Sequence, residues 1–270
     1  MKRDREKLRP LSLSMSGHCR MELWLTHKKR VPEPIEWGGQ RTMELGSVIE
    51  ALLFDDFEIP TAYGTETIGS WLSEVDEVSD PVSGFKFSPK NTKFIHRQME
   101  VDLLIDGETV TGHIDALGQD VAVNAPGWTL FDAKSANGLS FRRALTEKLE
   151  EGIFARELYA QMQAYMRALQ LRGIDARRAV LIYFNKEQSK LMCRLVPFDA
   201  ERAEDGVLRL RSAMAQAEPE PDWPMAPGQD IELRCGYCSM KQHCARQRGF
   251  ALELHFKKGR NGETPAWRVK

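Results

Sequence analysis

Two short segments hold the side chains best suited to chemistry: Gly112-His113-Ile114-Asp115 and, seventeen residues beyond Asp115, Asp132-Ala133-Lys134. If each lies on a strand, side-chain alternation sends Asp132 and Lys134 to the same side. There the acid can bind Mg2+, the Ala133 carbonyl offers a further oxygen ligand, and the Lys134 ammonium faces a water or a phosphate. A cation that keeps some of its waters and offsets charge on a phosphoryl group is equipment for phosphodiester hydrolysis. An Asp-x-Lys at a strand end is, on its own, most often a solvated ion pair. Further features raise it above that reading: Glu50, a carboxylate on the flank of an apolar helix, and Gln161 with Tyr165, i and i+4 on one helical face. His113 would share the side of Asp115, either supporting the acid or serving structure alone. His27 and His96 receive no role.

The cysteines form a second constellation. Five occur, at 19, 193, 235, 238 and 244, and an odd count does not suit a disulfide framework. Cys235, Cys238 and Cys244 are close enough in sequence to converge on one soft metal, with a fourth ligand from elsewhere. A zinc site, with His243 replacing a cysteine, and a coincidence of buried thiols are the competing readings. Cys193, on an alternating strand face, reads as an ordinary buried thiol.

The elements that must position these residues are visible in the hydrophobic period. Ser12 and Ser14 read as N-caps of a helix from Met15 through Leu25 to the basic 27–30 cluster, with Cys19 in its early turns. Pro32, Pro34 and Gly38-Gly39 end it, and a helix over 41–54 follows, with Leu45, Ile49, Leu52 and Leu53 at helical spacing. Residues 58–92 read as irregular, with one short helix near 67–72 and no legible function. A β-meander is expected over 93–105, 110–117 and 128–133, turning at Asp106-Gly107. Helices over 141–149 and 155–171, a buried strand at 180–184, an alternating strand at 190–196 and a helix over 200–214 complete the pattern. Residues 217–227 read as a linker, and the chain closes on a basic tail with Lys257, Lys258, Arg260, Arg268 and Lys270.

Composition excludes several classes. With 42% hydrophobic residues, 20 Gly and 13 Pro, the 270-residue chain is not collagen-like, disordered or a disulfide scaffold. The longest apolar run, Ala179 to Phe184, is far short of a membrane span, which takes about 18 residues or more. The first ten residues mix bases and acids with no apolar stretch behind them, so a cytoplasmic protein without membrane contact is expected. A formal net charge of -1 restricts any nucleic-acid contact to local patches. Candidates are Lys28 to Arg30, Arg177 with Arg178, and above all Arg142 and Arg143, just beyond the Asp132–Lys134 strand.

The set Gly112-His113-Ile114-Asp115, Asp132-Ala133-Lys134 and Gln161-Met162-Gln163-Ala164-Tyr165 resembles the GxxD, (D/E)xK and QxxxY pattern of RecB-like PD-(D/E)xK nucleases. The resemblance implies an α/β restriction-endonuclease-like αβββαβ core, with a central mixed sheet flanked by helices. It implies that Asp115, Asp132 and the Ala133 carbonyl bind Mg2+ or Mn2+, that Lys134 is catalytic, and that Gln161 and Tyr165 support the site and contact DNA. Many RecB-like enzymes carry a metal-binding His in a Gly-x-x-x-His helix; here the pattern is Gly46-Ser47-Val48-Ile49-Glu50. Glutamate is a competent ligand for a hard cation, so the role passes to Glu50.

Cys19 with Cys235, Cys238 and Cys244 is similar to the subset of this branch that binds a 4Fe-4S cluster. That subset includes the CRISPR-associated RecB-like exonucleases, the AddB nuclease domain and phage-borne stand-alone copies. Such a cluster would form an iron-sulfur subdomain joining both termini. The expected organisation is a nuclease domain over 1–225, the cysteine cluster over 226–250 and a basic tail over 251–270. The expected activity is metal-dependent hydrolysis of DNA, as an exonuclease on single strands or free ends. A CRISPR-adaptation or recombination protein is the expected partner. A catalytically silent adaptor that binds DNA or an integrase with the same fold is the alternative.

Overall fold

β5 (Lys93–Ile105), β6 (Glu108–Gln119) and β7 (Trp128–Ala136) form the meander, and Asp106-Gly107, with φ of 50° and 86°, makes its first turn. A two-residue turn needs left-handed backbone at these positions to match strand twist, which suits Asp-Gly. β8 (Ala176–Asn185) then joins β7 in parallel and β9 (Lys190–Pro197) pairs with β8 antiparallel, giving a five-stranded mixed sheet in the order β5-β6-β7-β8-β9. The structure, a computed structural model, describes residues 10–28, 37–61, 64–119, 127–149, 155–215, 217–219, 222, 235, 238–259 and 262–270.

Each face of the sheet has its own core. On one side α4 (Ala155–Leu171) lays Met162, Tyr165, Met166 and Leu169 against Leu103, Ile114, Leu130 and Leu181. On the other, α2 (Trp37–Phe54) brings Ile49, Leu53 and Phe54 onto Ala116, Phe131, Ala133, Val180, Ile182 and Phe184. Residues 179–185 of β8 are therefore buried without interruption, as a strand covered on both faces must be. Burying each such large apolar side chain contributes about 1.5–3 kcal/mol. α3 (Gly138–Thr146) follows β7, capped by the Asn137 side chain on the Ser140 N–H at 2.8 Å, and α5 (Ala200–Met214) packs beside α4.

Several boundaries differ from those the sequence suggests. α1 (Arg20–His27) starts after Cys19; Ser12 instead caps a 3-10 turn at Leu13–Met15, with the Ser14 N–H 3.4 Å from its hydroxyl oxygen. α2 begins at Trp37, so Gly38 and Gly39 lie inside it, and Leu45 is exposed rather than part of the buried stripe. The segment 58–92, read as irregular, contains the hairpin β1 (Phe57–Thr61)–β2 (Gly64–Ile68), a 3-10 turn at Trp71–Glu74, and the pair β3 (Val78–Ser79)–β4 (Lys86–Phe87). After α6 (Lys241–Gln247) the basic tail is a hairpin, β10 (Leu252–Gly259) and β11 (Gly262–Val269). Its alternation of apolar and polar residues, Leu252, Leu254 and Phe256 against Glu253, His255 and Lys257, is a strand signal that the cationic count obscured. Lys29, Arg30, Pro32, Pro34, Arg260 and most of the 217–227 linker lie outside the described residues. Among the described residues, no helix is long and apolar enough to cross a membrane.

Candidate active site

The pairing of β6 with β7 ends at Ala116↔Phe131, and beyond that rung the two strands separate. Into the gap comes Asp115, whose Oδ2 accepts the Ala133 N–H at 2.7 Å. The amide and carbonyl of one strand residue point to the same edge, so the Ala133 carbonyl opens on the same gap. Asp132 is 1% exposed, and the Lys134 ammonium lies against its Oδ2. That oxygen is buried without a well-aligned hydrogen bond. Glu50, on the last turns of α2, adds its negative charge to the field at Asp115.

The electrostatics follow from crowding. Burial, and then the charges of Asp132 and Glu50, push the Asp115 carboxyl up to about 8, against the opposing pull of Lys134 and the Ala133 amide. Burial alone would lower the Lys134 ammonium, but Asp132 and Asp115 outweigh it and raise its pKa. Asp132 and Asp115 share one ammonium while the Glu50 charge acts on Asp115, a surplus of negative charge that a hard divalent cation would relieve. Carboxylate oxygens and a backbone carbonyl are the hard donors that fit such a cation. Among the described residues, no three His, Cys, Asp or Glu side chains are already gathered as a metal cage. Asp115 is held by the Ala133 amide, Asp132 by Lys134, and Glu50 by the Gln98 side-chain amide.

α4 supplies the fourth side of the site. Gln161 Nε2 donates to Tyr165 Oη at 3.1 Å, and the buried Tyr165 hydroxyl is pushed up to about 12 by burial and the charge of Asp132. Tyr165 is thus brought to the acids, and Gln161 to Tyr165. Gln98 is the residue that sequence reasoning missed: a Gln within a strand pattern gives no local signal.

The other expected contacts divide. His113 is exposed, with Nε2 3.5 Å from Glu100 Oε2, so the structure does not bring it to the acids. Arg142 and Arg143 are exposed on α3, where Arg142 lines a cleft of about 530 Å3 together with Gly138, Gln188 and Lys190. Arg177 is exposed and pairs with Asp175 at 2.8 Å, and Arg178 Nε donates to the buried Thr129 hydroxyl at 2.7 Å. Lys28 sits 5.8 Å from the centroid of the Trp24 ring.

Cys19, Cys238 and Cys244 lie around Met21, Trp24, Leu25 and Met240, where α1 meets α6. Burial raises the thiol pKa of all three; the neighbouring Cys235 and Cys19 raise Cys238 further, and Cys19 helps push Cys244 up to about 11. Cys238 thus feels Cys19 and Cys235, and Cys244 feels Cys19, although Cys19 lies 216 positions before Cys235. The sulfurs also receive backbone donors: Asp222 N–H to Cys19 at 3.4 Å and Met240 N–H to Cys238 at 3.3 Å. Asp222 is itself held by Arg20 at 2.9 Å and Arg209 at 2.7 Å. Cys193 is buried elsewhere, its Sγ 3.8 Å from the Val78 carbonyl.

The mixed sheet thus carries acids and a lysine at a strand split, backed by a glutamine and a tyrosine. Residues 23–245 match the family model described as the PD-(D/E)XK nuclease superfamily, and the chain belongs to that superfamily, whose members use divalent metals such as Mg2+ or Mn2+. No curated protein matches the sequence. Among solved structures, "Crystal structure of SSO0001" is 13% identical with a TM-score of 0.44, covering 85% of this chain and 83% of that one. An alkaline exonuclease (LHK-Exo) from Laribacter hongkongensis is 13% identical with a TM-score of 0.36, covering 77% and 90%. Its complex with dAMP is 12% identical with a TM-score of 0.36, covering 77% and 88%.

Proposed function

We propose that the chain is a metal-dependent deoxyribonuclease of the RecB-like branch, an exonuclease acting on single-stranded DNA or DNA ends. The observation that carries this is the placement of Asp115 and Asp132 at the β6–β7 split, with Lys134 against Asp132 and the Glu50 charge acting on Asp115. Glu50, Asp115, Asp132 and the Ala133 carbonyl would hold Mg2+ or Mn2+, which when bound would polarise the phosphoryl group and a water. Lys134 orients the attacking water and offsets the charge that grows on the phosphate oxygens. Tyr165, kept protonated by its raised pKa and hydrogen-bonded to Gln161, closes the α4 side and excludes bulk water. Arg142 and Arg143 offer cations to the DNA backbone beyond β7.

Cys19, Cys235, Cys238 and Cys244 would hold a 4Fe-4S cluster. The reading is supported by the packing of Cys19, Cys238 and Cys244 around one apolar cluster, the N–H donors on two of the sulfurs, and thiolate softness. Such a cluster would close most of the chain into a loop and stabilise it by limiting the unfolded ensemble.

The test is degradation of end-labelled single-stranded and duplex DNA by anaerobically purified protein with Mg2+ or Mn2+, with iron measured on the same sample. Metal-dependent loss of label supports the reading and gives the polarity. An inert protein with its iron intact would leave a DNA- or integrase-binding adaptor.

A further inference from the structure

Gln98 stands in the middle of β5 with φ of +50°, a left-handed backbone for a non-glycine residue in a strand. The register pairs Arg97↔Ala116 and Met99↔Ile114 place Gln98 opposite Asp115. Across that rung the side-chain alternation changes phase in both strands. On β6, Ile114 packs in the α4-side core while Ala116, two residues on, packs in the α2-side core. On β5, Met99 packs against the α4-side core while Arg97, two residues earlier, reaches Asp55 just beyond α2 at 3.0 Å. A regular strand would keep each such pair on one face. The break leaves Asp115 free to reach across to the Ala133 amide, and it leaves Gln98 at the end of α2, where its Nε2 donates to Glu50 Oε1.

We infer that Gln98 is a positioning residue: its left-handed backbone and its amide together orient Glu50 toward Asp115 for the divalent cation. The inference rests on the metal-site reading above. A carboxylate at the end of a helix samples several rotamers, and one fixed hydrogen bond on one oxygen leaves the other presented in a defined direction. Because Gln98 donates to a carboxylate, its amide orientation is set by the contact. Backbone strain at such a point persists only when surrounding structure holds it, here the β5–β6 ladder on both sides.

Gln98→Gly removes the amide while suiting the left-handed backbone, so the variant is built to fold. Mn2+ binding to the full-length protein, read by titration calorimetry and by the electron paramagnetic resonance of free Mn2+, is compared for wild type, Gln98→Gly, Glu50→Ala and the double variant. The expected result is a Tm within a few degrees of wild type and an affinity about tenfold weaker for Gln98→Gly. In the Glu50→Ala background Gln98→Gly then changes the affinity less than twofold, since no carboxylate remains to orient. Equal Mn2+ affinity in wild type and Gln98→Gly overturns the positioning role alone. A wild type that binds no Mn2+ overturns the metal-site reading, and the role of Gln98 with it.

Discussion

Gly112 and Tyr165 are in direct backbone-to-ring contact: a Cβ on Gly112 would lie 2.5 Å from Tyr165 Cε1 and 3.0 Å from Leu13 Cβ. The glycine of the GxxD segment is thus required by the tyrosine of the QxxxY segment, with the N-terminal 3-10 turn as the third wall. Gly112→Ala must displace the ring from beside the acids. It is expected to cost about 1–3 kcal/mol by overpacking, measured by urea unfolding, and to lower activity through the moved Tyr165.

Lys134→Met keeps an unbranched side chain, one atom shorter, and removes its charge. Losing a cation aimed at developing phosphate charge is expected to slow cleavage by about 100- to 1,000-fold with KM for DNA little changed. Single-turnover rates beside equilibrium DNA binding separate the two. A variant that cuts as fast as wild type would remove Lys134 from the mechanism.

Asp80 and Arg194 form a buried knot, 2% and 4% exposed, with Nε 3.3 Å from Oδ1. Asp80 also accepts from the Val82, Ser83 and Leu195 amides and the Ser83 hydroxyl, while Arg194 donates to the Ala144 and Glu147 carbonyls. The knot ties the β3–β4 pair, β9 and the end of α3 together. Asp80→Ala leaves the guanidinium buried and unpaired, and is expected to cost about 3–5 kcal/mol.

The same knot sets a pH dependence. Burial alone would raise the Asp80 carboxyl, but the Leu195 amide and the Ser83 hydroxyl, with the Val82 and Ser83 amides, hold it below its ordinary 3.8. A depressed folded pKa contributes stability that is full above the unfolded value and is lost as pH falls through the folded one. Urea midpoints should therefore drop below about pH 4 by a larger step in wild type than in Asp80→Asn.

Cys238→Ser is expected to abolish iron incorporation and to lower Tm by at least about 5 °C, since about 2–4 °C accompanies each kcal/mol at this chain size. Cys193→Ser, at a thiol packed between β9 and β3, is expected to retain iron in full. Iron content and thermal melts of the two variants, purified anaerobically, check this. Zinc in place of iron in the wild type would replace the cluster with a four-coordinate zinc site.

The sequence by itself determined the order of the nuclease core, because hydrophobic period is local. The 3.6-residue rhythm of 155–171 and 200–214 and the uninterrupted apolar strand near 180–184 are readable over a dozen residues or fewer. Motif spacing also singled out Asp115, Asp132 and Lys134, which the structure sets at one strand split. What only the tertiary structure decided are polar contacts between distant residues, which leave no period behind. Nothing near Gln98 signals a left-handed rung opposite Asp115. Nothing near Asp80 signals a hydrogen bond to Leu195, 115 residues away. The two-residue strands β3 and β4 were illegible for the same reason: they are held by the β9 edge they pack on, not by their own pattern. His113 was misread because strand alternation was carried through the rung at Asp115, where it breaks.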